Sequence, residues 1–482
     1  MHTSEQVVYQ NQISFYEYMK KNTNLSDSFI FSHDHKVHFG FGSYIGLSIK
    51  NNVIRVTCTD KDILTSINDF LFIATDISTK EDFFWIETYV EQPFLWLENI
   101  SRFLYENLGI NSSLIGYVGS PGYQYIVSTD IPLKKHPAYT CPDVFFYIPK
   151  IEIICEKNKK ILVNNYSETS TSNIDKWITD FQTHFTDGLQ NNLSEIQNLR
   201  EVSWEDVTKQ VSVVPDDALY KEQVQSAITT LADEKIKKIV ISRLAMGSYS
   251  LAPSQLFNIL RTCSPTHYEY LFEMKEYQII GCSPEILVKQ EGDDITIRTV
   301  AGTQVSLADE KQDTTIKQNF LSDPKQIVEH VISFIGQINM MKDQVCVPNS
   351  IKVNKILSID TIAHINHLIS EIKGQTKHNV YQTWIKFLPT INGTPAADGY
   401  KFALQIEGFN RGIYAGVFGF YNSKQSLFCK MIRTIYLEKE TFYVGAGAGI
   451  TTDSKPDEEL LESKNKMRSC LYALHYSKQT FS

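Results

Sequence analysis

The sequence predicts an α/β (α+β) protein with a large mixed or antiparallel sheet. The chain has 482 residues, of which 42% are hydrophobic and 21% charged, and this balance is typical of a globular protein. Short β-rich runs bounded by turn residues fill its first third. Helices with one apolar face lie between strands in the rest of the chain. Because this length exceeds one small core, one large composite domain or two domains are expected.

The first part contributes four predicted strands: Val53–Cys58, Leu114–Val118, Val144–Ile148 and Ile151–Cys155. A helix follows, because its apolar residues recur on one face: Ile174, Trp177, Ile178, Phe181 and Phe185. The Asn- and Ser-rich region over 164–198 predicts a boundary between an N-terminal subdomain, residues 1–200, which contributes strands, and a second region, residues 201–482. Both halves could still share one core.

The second region has stronger local signals. Asp216 or Asp217 can cap a helix over 218–234, and the strands predicted after it are Lys238–Arg243, Tyr268–Met274, Tyr277–Gly281 and Ile295–Val300. Asp323 and Pro324 start another helix, whose apolar residues recur at spacings of three and four: Ile327, Val328, Val331, Ile335 and Ile338. Strands Leu427–Ile435 and Thr441–Val444 then lead into a glycine loop, and Ser454–Asp457 opens the last long helix.

Composition and charge exclude several classes of protein. The formal net charge is −9 without long single-sign blocks, which argues against nucleic acid or an anionic membrane as a partner but leaves a small anionic substrate open. Eight cysteines without a CxxC pair match neither a metal finger nor a redox motif. The N-terminus lacks a secretion signal, and no apolar stretch reaches the ~18–20 residues that span a bilayer. We therefore expect a cytoplasmic protein.

Three glutamates are candidate metal ligands. Glu459 and Glu462 are three residues apart on one helix face, where two like charges repel unless a cation or a basic group lies between them. A hard divalent ion binds carboxylate oxygens and takes its other ligands from water and substrate. Glu329 joins this group only if its helix converges with the last one. The alternative is a solvated acidic face balanced by Lys464 and Lys466.

The segment Gly445–Gly449, with the sequence Gly-Ala-Gly-Ala-Gly, would let the backbone approach an anion closely. It matches neither a Walker loop nor the dinucleotide fingerprint, and a tight connection is the alternative. Arg433, placed inside the preceding apolar strand, suits a carboxylate ligand, unless it forms an internal salt bridge.

Two further side chains could perform acid–base chemistry. Lys238 could act as a base if it is desolvated, and Glu285 could act as an acid beside apolar groups. A solvated lysine at the start of a strand and a surface glutamate are the alternatives. His330 and His367 are expected to be structural rather than catalytic.

Taken in order, nine segments closely resemble the chorismate-binding domain shared by anthranilate, aminodeoxychorismate, isochorismate and salicylate synthases. They are Lys238-Ile-Val-Ile-Ser-Arg243, Gly281-Cys-Ser-Pro-Glu285, Ala301-Gly-Thr303, Asp323-Pro-Lys-Gln-Ile-Val-Glu-His330, His367-Leu368, Arg411-Gly-Ile-Tyr-Ala-Gly416, Ile432-Arg433, Ala446-Gly-Ala-Gly-Ile450, and Glu459-Leu-Leu-Glu462 with Lys466. The resemblance spans residues 220–474, and the ordered set is specific although no single segment is.

The resemblance implies a large two-sheet fold of the anthranilate synthase component I type, with a chorismate-binding catalytic region over residues 201–482 and the active site between the stacked sheets. It implies that Glu329 and Glu462, assisted by Glu459, ligate Mg²⁺, and that Mg²⁺ holds the ring carboxylate of chorismate. The residues that it implies bind or surround the substrate are Thr303, His367, Tyr414, Arg433, Gly447, Ala448, Gly449 and Lys466.

The resemblance also indicates the nucleophile. Family members that add ammonia generally have a non-basic residue where this chain has Lys238, whereas members that add water have a lysine there that activates the water. In those members the counterpart of Glu285 protonates the departing hydroxyl. Ala301 differs from the lysine with which aminodeoxychorismate synthases form a covalent intermediate. Water is therefore the expected nucleophile, and no glutamine amidotransferase subunit is expected.

The expected product is salicylate, formed through isochorismate and elimination of pyruvate, because segments 325–330, 411–416 and 432–436 are closer to salicylate synthases. Two departures from that pattern are the slightly shortened segment 387–395 and Gln326, which replaces the usual Glu. One alternative is an isochorismate synthase that stops at isochorismate and serves a menaquinone or siderophore pathway. Another is a non-catalytic relative that binds an aromatic metabolite.

Overall fold

Long antiparallel strands form the framework of the chain, and helices pack on their outer faces. The computed structural model describes residues 8–481 apart from residues 9, 72–76, 81–82, 128–130, 135, 157–160, 185–201, 233–234, 307–309 and 363–364. Within these bounds, 21 strands join into one hydrogen-bonded network. The α/β (α+β) fold class predicted from the sequence is confirmed.

The strands are β1 (Ser28–His33), β2 (Lys36–Lys50), β3 (Val53–Cys58), β4 (Ser78–Lys80), β5 (Phe83–Tyr89), β6 (Leu114–Val118), β7 (Val144–Glu156), β8 (Leu162–Asn165), β9 (Ser212–Val214), β10 (Lys238–Ser248), β11 (Tyr268–Glu273), β12 (Tyr277–Ser283), β13 (Ile286–Glu291), β14 (Asp294–Val305), β15 (Lys352–Ile362), β16 (Ile365–Gln375), β17 (Gly393–Thr394), β18 (Val417–Tyr421), β19 (Gln425–Lys430), β20 (Thr434–Glu438) and β21 (Thr441–Ile450).

The α-helices are Gln12–Thr23, Lys61–Leu71, Pro93–Arg102, Thr171–His184, Trp204–Thr208, Asp217–Leu231, Pro253–Cys263, Glu310–Phe320, Pro324–Met340, Val380–Phe387, Ala396–Ile406 and Pro456–Phe481. Short helical turns lie at Phe103–Asn107, Ser120–Tyr125, Met341–Val345 and Leu388–Ile391. The helix Pro324–Met340 is called the central helix, and Pro456–Phe481 the C-terminal helix.

The network folds into two stacked layers because β2 and β7 belong to both. One end of β2 pairs with β1 and the other with β3, while β7 pairs with β6 and β8 at its opposite ends. The first layer runs from β1 through β11, β12, β20 and β21 to β10. The second runs from β6 through β18, β19, β13 and β14 to β16. An aromatic core between the layers includes Phe29, Tyr147, Tyr270, Phe272 and Phe418.

Helices cover the outer face of each layer. The first layer is covered by Gln12–Thr23, Thr171–His184, Pro253–Cys263 and the C-terminal helix, whose Met467 and Leu471 are fully or almost fully buried. The second layer is covered by Lys61–Leu71, Pro93–Arg102 and Val380–Phe387. The chain is therefore a sandwich of helix, sheet, sheet and helix, which is an efficient way to bury both faces of a sheet.

Strands from both sides of residue 200 pair directly with one another. β1 pairs with β11 over Ser28–Ser32, and β6 pairs with β18 over its whole length. Residues 185–201, which contain the predicted boundary, lie outside the described residues. The division into residues 1–200 and 201–482 stays a prediction.

Most predicted strands occur close to their expected bounds. β3 and β6 match them, whereas the two predicted runs Val144–Ile148 and Ile151–Cys155 form the single strand β7. β8 extends the sheet as far as Asn165, just inside the Asn- and Ser-rich region where the sequence predicts a boundary. The predicted helix that carries Ile174 is observed at Thr171–His184, and Phe185 lies outside the described residues.

The predicted helix caps are present. The Asp216 side chain accepts a hydrogen bond from the Leu219 N–H, so Asp216 rather than Asp217 is the cap. The Asp323 side chain accepts from the N–H groups of Lys325 and Gln326 at the start of the central helix. These caps fix where both helices begin.

The central helix buries a different face from the one that its apolar spacing predicts. Val328, Val331 and Ile335 are 42%, 38% and 45% exposed. The buried face instead carries Glu329, His330, Phe334 and Gln337. Burying a carboxylate is costly unless it is paired, so this face indicates a functional site.

Within the described part of the chain, we find no helix whose length and apolar character would allow it to cross a membrane. The eight cysteines are all buried and free.

Candidate active site

A cavity of about 1160 Å³ lies between the central helix, the C-terminal helix and the strands β10, β14 and β21. The segment that contains β17 closes one side of it, because β17 pairs with the first two residues of β10. The shortened segment 387–395 thus contributes Ile391, Gly393, Thr394 and Pro395 to the cavity wall. A space of this volume accommodates a small molecule.

Lys238 and Glu329 form a buried ion pair in the wall of this cavity. Lys238 Nζ donates hydrogen bonds to Glu329 Oε1 at 2.9 Å and to Ser333 Oγ at 3.0 Å. Burial alone would raise the pKa of the Glu329 carboxyl, but the charges of Lys238 and Lys466 outweigh it and lower that pKa. Lys238 is 8% exposed, so it is not the solvated strand cap that was the alternative.

The C-terminal helix brings a second carboxylate to the same cavity. Glu462 Oε1 accepts from Lys466 Nζ at 2.6 Å, and Lys466 Nζ also donates to the Gly447 carbonyl at 3.1 Å. Burial lowers the pKa of Lys466, but Glu462 and Glu329 act on it more strongly together and raise it. The charges of Glu329 and Glu462 therefore both act on one ammonium group, and both glutamates line one cavity, so the two helices converge.

Glu459 is buried beside this site rather than in the cavity wall. It is 2% exposed and forms an ion pair with Lys325 at 3.0 Å. Burial and the charge of Glu462 raise the pKa of the Glu459 carboxyl, although Lys325 opposes them. Glu459 could assist the carboxylates that face the cavity, but it does not face the cavity itself.

Two carboxylates that face one cavity suit a hard divalent ion such as Mg²⁺. Mg²⁺ is commonly held by one or two carboxylates, and waters and substrate oxygens complete its coordination. Glu329 and Glu462 fit this pattern. In the part of the chain that the structure describes, no cluster of three or more His, Cys, Asp or Glu side chains is arranged to hold a metal.

The glycine segment is part of β21 and not a loop. It pairs with β10 from Ile239↔Ile450 to Leu244↔Gly445. A Cβ on Gly445 would lie 2.3 Å from Tyr414 Cγ, and a Cβ on Gly449 would lie 2.3 Å from Lys238 Cε. The glycines therefore make room for side chains of the cavity wall.

Most residues of this segment line the cavity. A Cβ on Gly447 would lie 2.5 Å from the carbonyl oxygen of Ile241. Gly445, Ala446, Gly447 and Gly449 line the cavity, whereas Ala448 is fully buried in a separate apolar cluster.

Arg433 lies in the cavity wall at a turn between β19 and β20. The sequence predicts one strand across it, but Arg433 adopts a left-handed φ of 50°, which separates the two strands. Its Nη2 donates to His367 Nε2 at 3.2 Å. Burial lowers the pKa of Arg433, and burial together with Arg433 lowers that of His367 far below its usual value.

The internal salt bridge that was the alternative for Arg433 does not form with any described residue. A buried guanidinium that faces a cavity without a carboxylate partner favours binding of an anion there. His367 stays neutral beside it, so His367 accepts a hydrogen bond and orients the guanidinium.

A buried ion pair between Arg411 and Glu407 supports the turn that carries Tyr414. Arg411 donates to both carboxylate oxygens of Glu407, at 2.6 and 2.7 Å, and to the Val240 carbonyl at 2.8 Å. The next residue after Tyr414, Ala415, has a left-handed φ of 59°. Tyr414 is 8% exposed and lines the cavity.

Thr303 is located only through its backbone. It stands opposite His367 in the β14–β16 ladder, and its side chain lies outside the described residues. His330, which was expected to be structural, links the Ala301 carbonyl at 3.0 Å and Ser370 Oγ at 2.7 Å. It ties the central helix to β14 and β16.

Glu285 lies in the cavity wall in contact with Lys430. Glu285 is 6% exposed and makes an ion pair with the Lys430 side chain. The Lys430 N–H also donates to the Glu285 carbonyl at 2.9 Å. Glu285 is therefore a buried group, and the surface position that was its alternative is excluded.

Two residues that line the cavity were not among the site residues predicted from the sequence. Ser333 follows Glu329 by one helical turn, and this spacing could have placed it beside Lys238. Lys430 is a charged residue within an otherwise apolar run that leads to Arg433, a pattern similar to that which drew attention to Arg433 itself. Neither contact partner is local in sequence.

A buried lysine and a buried glutamate, two carboxylates from converging helices and a buried arginine surround one cavity, and this arrangement suits a small anionic molecule. A family model described as chorismate binding enzyme matches residues 75–472. The chain therefore belongs to the chorismate-binding enzyme family, as the sequence resemblance implied.

The chain is also similar to individual relatives and solved structures. The chain is 26% identical over 434 residues to anthranilate synthase component 1 from Lactococcus lactis subsp. lactis, covering 87% of this chain and 89% of the relative. The structure of anthranilate synthase component I from Streptococcus pneumoniae TIGR4 has a TM-score of 0.65 at 22% identity, covering 91% of this chain and 92% of that one. The menaquinone-specific isochorismate synthase from Escherichia coli has a TM-score of 0.62 at 16% identity, covering 93% and 89%.

Proposed function

We propose that the protein adds water to chorismate in a Mg²⁺-dependent reaction, forms isochorismate, and then eliminates pyruvate to give salicylate. The observation that carries the proposal is Lys238, a lysine in the cavity wall at the position where, by the sequence resemblance, family members that add ammonia generally have a non-basic residue. Its Nζ contacts Glu329 and Ser333, so the amine is held in place at the cavity. Water addition needs a base there, and ammonia addition does not.

The two ends of the site suit the two carboxylates of chorismate. Arg433, Tyr414 and the Gly447–Gly449 backbone would hold the enolpyruvyl carboxylate. Glu329 and Glu462 would hold Mg²⁺, which, when bound, neutralises and positions the ring carboxylate. The ring would then lie between them in the space lined by Lys238 and Glu285.

Lys238 and Glu285 then divide the proton transfers. The amine of Lys238, after it loses its proton, takes a proton from the attacking water. Glu285 gives a proton to the departing hydroxyl, which leaves as water. Loss of pyruvate in the second stage makes the ring aromatic, and the site closed by β17 would retain isochorismate long enough for that stage. No ammonia-supplying subunit is needed for either stage.

Two other products have support of their own. Sequence similarity to anthranilate synthase component 1 favours ammonia as nucleophile, and structural similarity to an isochorismate synthase favours a reaction that stops at isochorismate. Lys238 argues against the first. A non-catalytic binder has no use for an acid–base pair in the cavity wall, so we favour an enzyme.

One experiment separates these outcomes. Purified protein is incubated with chorismate, Mg²⁺ and, in a parallel reaction, an ammonium salt, and the products are resolved by chromatography. We expect salicylate and pyruvate in equal amounts, with chelation of Mg²⁺ abolishing both. Isochorismate without pyruvate would overturn the elimination stage. Anthranilate or an aminated intermediate that needs ammonium would overturn water addition.

A further inference from the structure

Lys430 occupies the cavity wall in contact with Glu285. Its side chain is 12% exposed and that of Glu285 is 7% exposed, so this ion pair is largely removed from solvent. Both residues line the cavity. A buried ion pair contributes little net stability, because the cost of desolvation offsets the attraction between the charges. Its position in the active cavity therefore points to function.

The fold fixes the two side chains relative to each other. Ile286 pairs with Cys429 in the β13–β19 ladder, and the Lys430 N–H donates to the Glu285 carbonyl at 2.9 Å. Ser283 Oγ accepts from the Glu285 N–H at 3.3 Å and so fixes the turn before it. With both backbones held, the Lys430 ammonium group stays on the Glu285 carboxylate. This places a proton donor in contact with the acid.

We propose that Lys430 is a positioning residue for Glu285 that also returns to it the proton spent on the departing hydroxyl; this inference rests on the proposed function. A carboxylate that is already ionised cannot protonate a leaving group by itself. A lysine ammonium in contact with it can supply that proton, whereas an arginine guanidinium does not lose its proton in proteins. Lys430 acts through Glu285.

The proton and electron balance closes without a further reactant. One carbon–oxygen bond forms between water and the ring, and the bond from the ring to the hydroxyl oxygen breaks with its electron pair. The departing oxygen takes a proton from Glu285, Glu285 takes one from Lys430, and the attacking water gives one to Lys238. Nothing is oxidised or reduced. Proton exchange with solvent restores both lysines.

The test measures chorismate consumption by the full-length protein with Mg²⁺, for Lys430→Arg, Lys430→Met, Glu285→Gln and the double variant Lys430→Met/Glu285→Gln. Lys430→Arg keeps the positive charge but cannot return a proton, so we expect both single Lys430 variants to lose roughly 10²-fold in kcat with KM unchanged. The double variant should be no slower than Glu285→Gln, because residues that act as a unit are not additive.

Lys424→Met is the matched control, because this exposed lysine precedes the far end of the same strand; it should behave as wild type. Thermal melting checks that each variant is folded, and the double variant avoids leaving one buried charge alone. Wild-type kcat in Lys430→Arg would overturn proton return, and a rise in KM alone would reassign Lys430 to substrate binding. Failure of the wild-type protein to hydrate chorismate would instead overturn the proposed function.

Discussion

Lys238 Nζ and Glu329 Oε1 lie 2.9 Å apart although the two residues are 91 positions apart in the chain. Lys238 opens a strand of the sheet, and Glu329 lies on the buried face of the central helix. Within this cavity the proposed base and a proposed metal ligand are therefore in direct contact. Any change that moves one of them should be felt by the other.

Replacement of Lys238 by glutamine removes the base while it keeps a hydrogen-bond donor for Glu329. We expect chorismate consumption to fall by roughly 10²–10⁴-fold, the usual contribution of a positioned base, with chorismate binding retained. Lys237→Met is the control, since Lys237 is the exposed neighbour. Steady-state kinetics and calorimetric titration with chorismate measure the two effects. Turnover close to that of wild type would remove Lys238 from the mechanism.

A single methyl group on Gly449 should disturb the same pair. The Cβ would lie 2.3 Å from Lys238 Cε and 2.8 Å from Glu329 Oε1, so both side chains would have to move. A displacement of about 1 Å in an active site can cost about 10²-fold in rate, and we expect such a loss of kcat in Gly449→Ala.

The matched control is Gly408→Ala, because a Cβ there meets no atom within 4 Å. Both variants should be compared by kinetics and by thermal melting. An unchanged kcat in Gly449→Ala would mean that the Lys238–Glu329 contact is not required.

The sequence predicts well those features that depend on neighbouring residues. The strands β3 and β6 and the helix caps Asp216 and Asp323 follow from local patterns of apolar, turn and capping residues. The ordered motifs also indicate the family, because their set is specific. These features need no knowledge of distant contacts.

The features that the sequence did not predict depend on contacts between residues that are far apart in the chain. Glycine and alanine disfavour a strand on their own, yet Gly445–Gly449 is a strand because β10 pairs with it. Arg433 interrupts a β-rich run only because the chain turns there with a positive φ. The ion pair between Glu285 and Lys430 joins residues 145 positions apart. No local pattern contains such information.

The orientation of the central helix shows the same limit. Its apolar spacing favours burial of Val328, Val331 and Ile335, but the structure exposes them and buries Glu329 and His330. Burial of these polar residues is possible because Lys238 pairs with the first, and the Ala301 carbonyl and Ser370 bond the second. The polar contacts of Glu329 and His330, rather than the apolar spacing, determine which face of this helix is buried.

Removal of the Arg433 charge should weaken substrate binding without weakening the fold. In Arg433→Met we expect KM for chorismate to rise roughly 10–100-fold, the range for a lost charged hydrogen bond. The melting temperature should be unchanged or higher, because an unpaired buried charge is costly. Kinetics and thermal melting test the two parts separately.

Arg411→Met is the contrasting variant for that experiment. Arg411 is buried but paired with Glu407, so its removal leaves the buried Glu407 carboxylate without this counter-ion, with hydrogen bonds from Ser242 still in place, and should cost about 3–5 kcal/mol of stability. Equal destabilisation by the two variants would contradict the assignment of Arg433 to an anion site.

His33 should make the stability of the protein sensitive to acid. It is buried among Phe31, His38 and Phe420, and burial first, then the charges of His38, Lys36 and Lys289, lower its pKa well below the usual value of 6.5. In the unfolded chain His33 then binds a proton near pH 6.5, whereas in the folded chain it binds one only at lower pH. The contribution of His33 to the free energy of unfolding is therefore fully present above pH 6.5 and is lost as the pH falls below that value.

Replacement of His33 by phenylalanine, which fits the same aromatic surroundings, should remove this part of the acid sensitivity. At pH values between the unfolded and the folded pKa, one such histidine lowers the free energy of unfolding by up to ~1.4 kcal/mol for each unit by which the pH falls. Urea unfolding at pH 7.5 and pH 5.5 should therefore show a smaller difference in His33→Phe than in wild type. His35→Asn is the control, because His35 is exposed and its φ of 65° is one that asparagine accepts. An identical difference in wild type and His33→Phe would show that His33 does not take up this proton on unfolding.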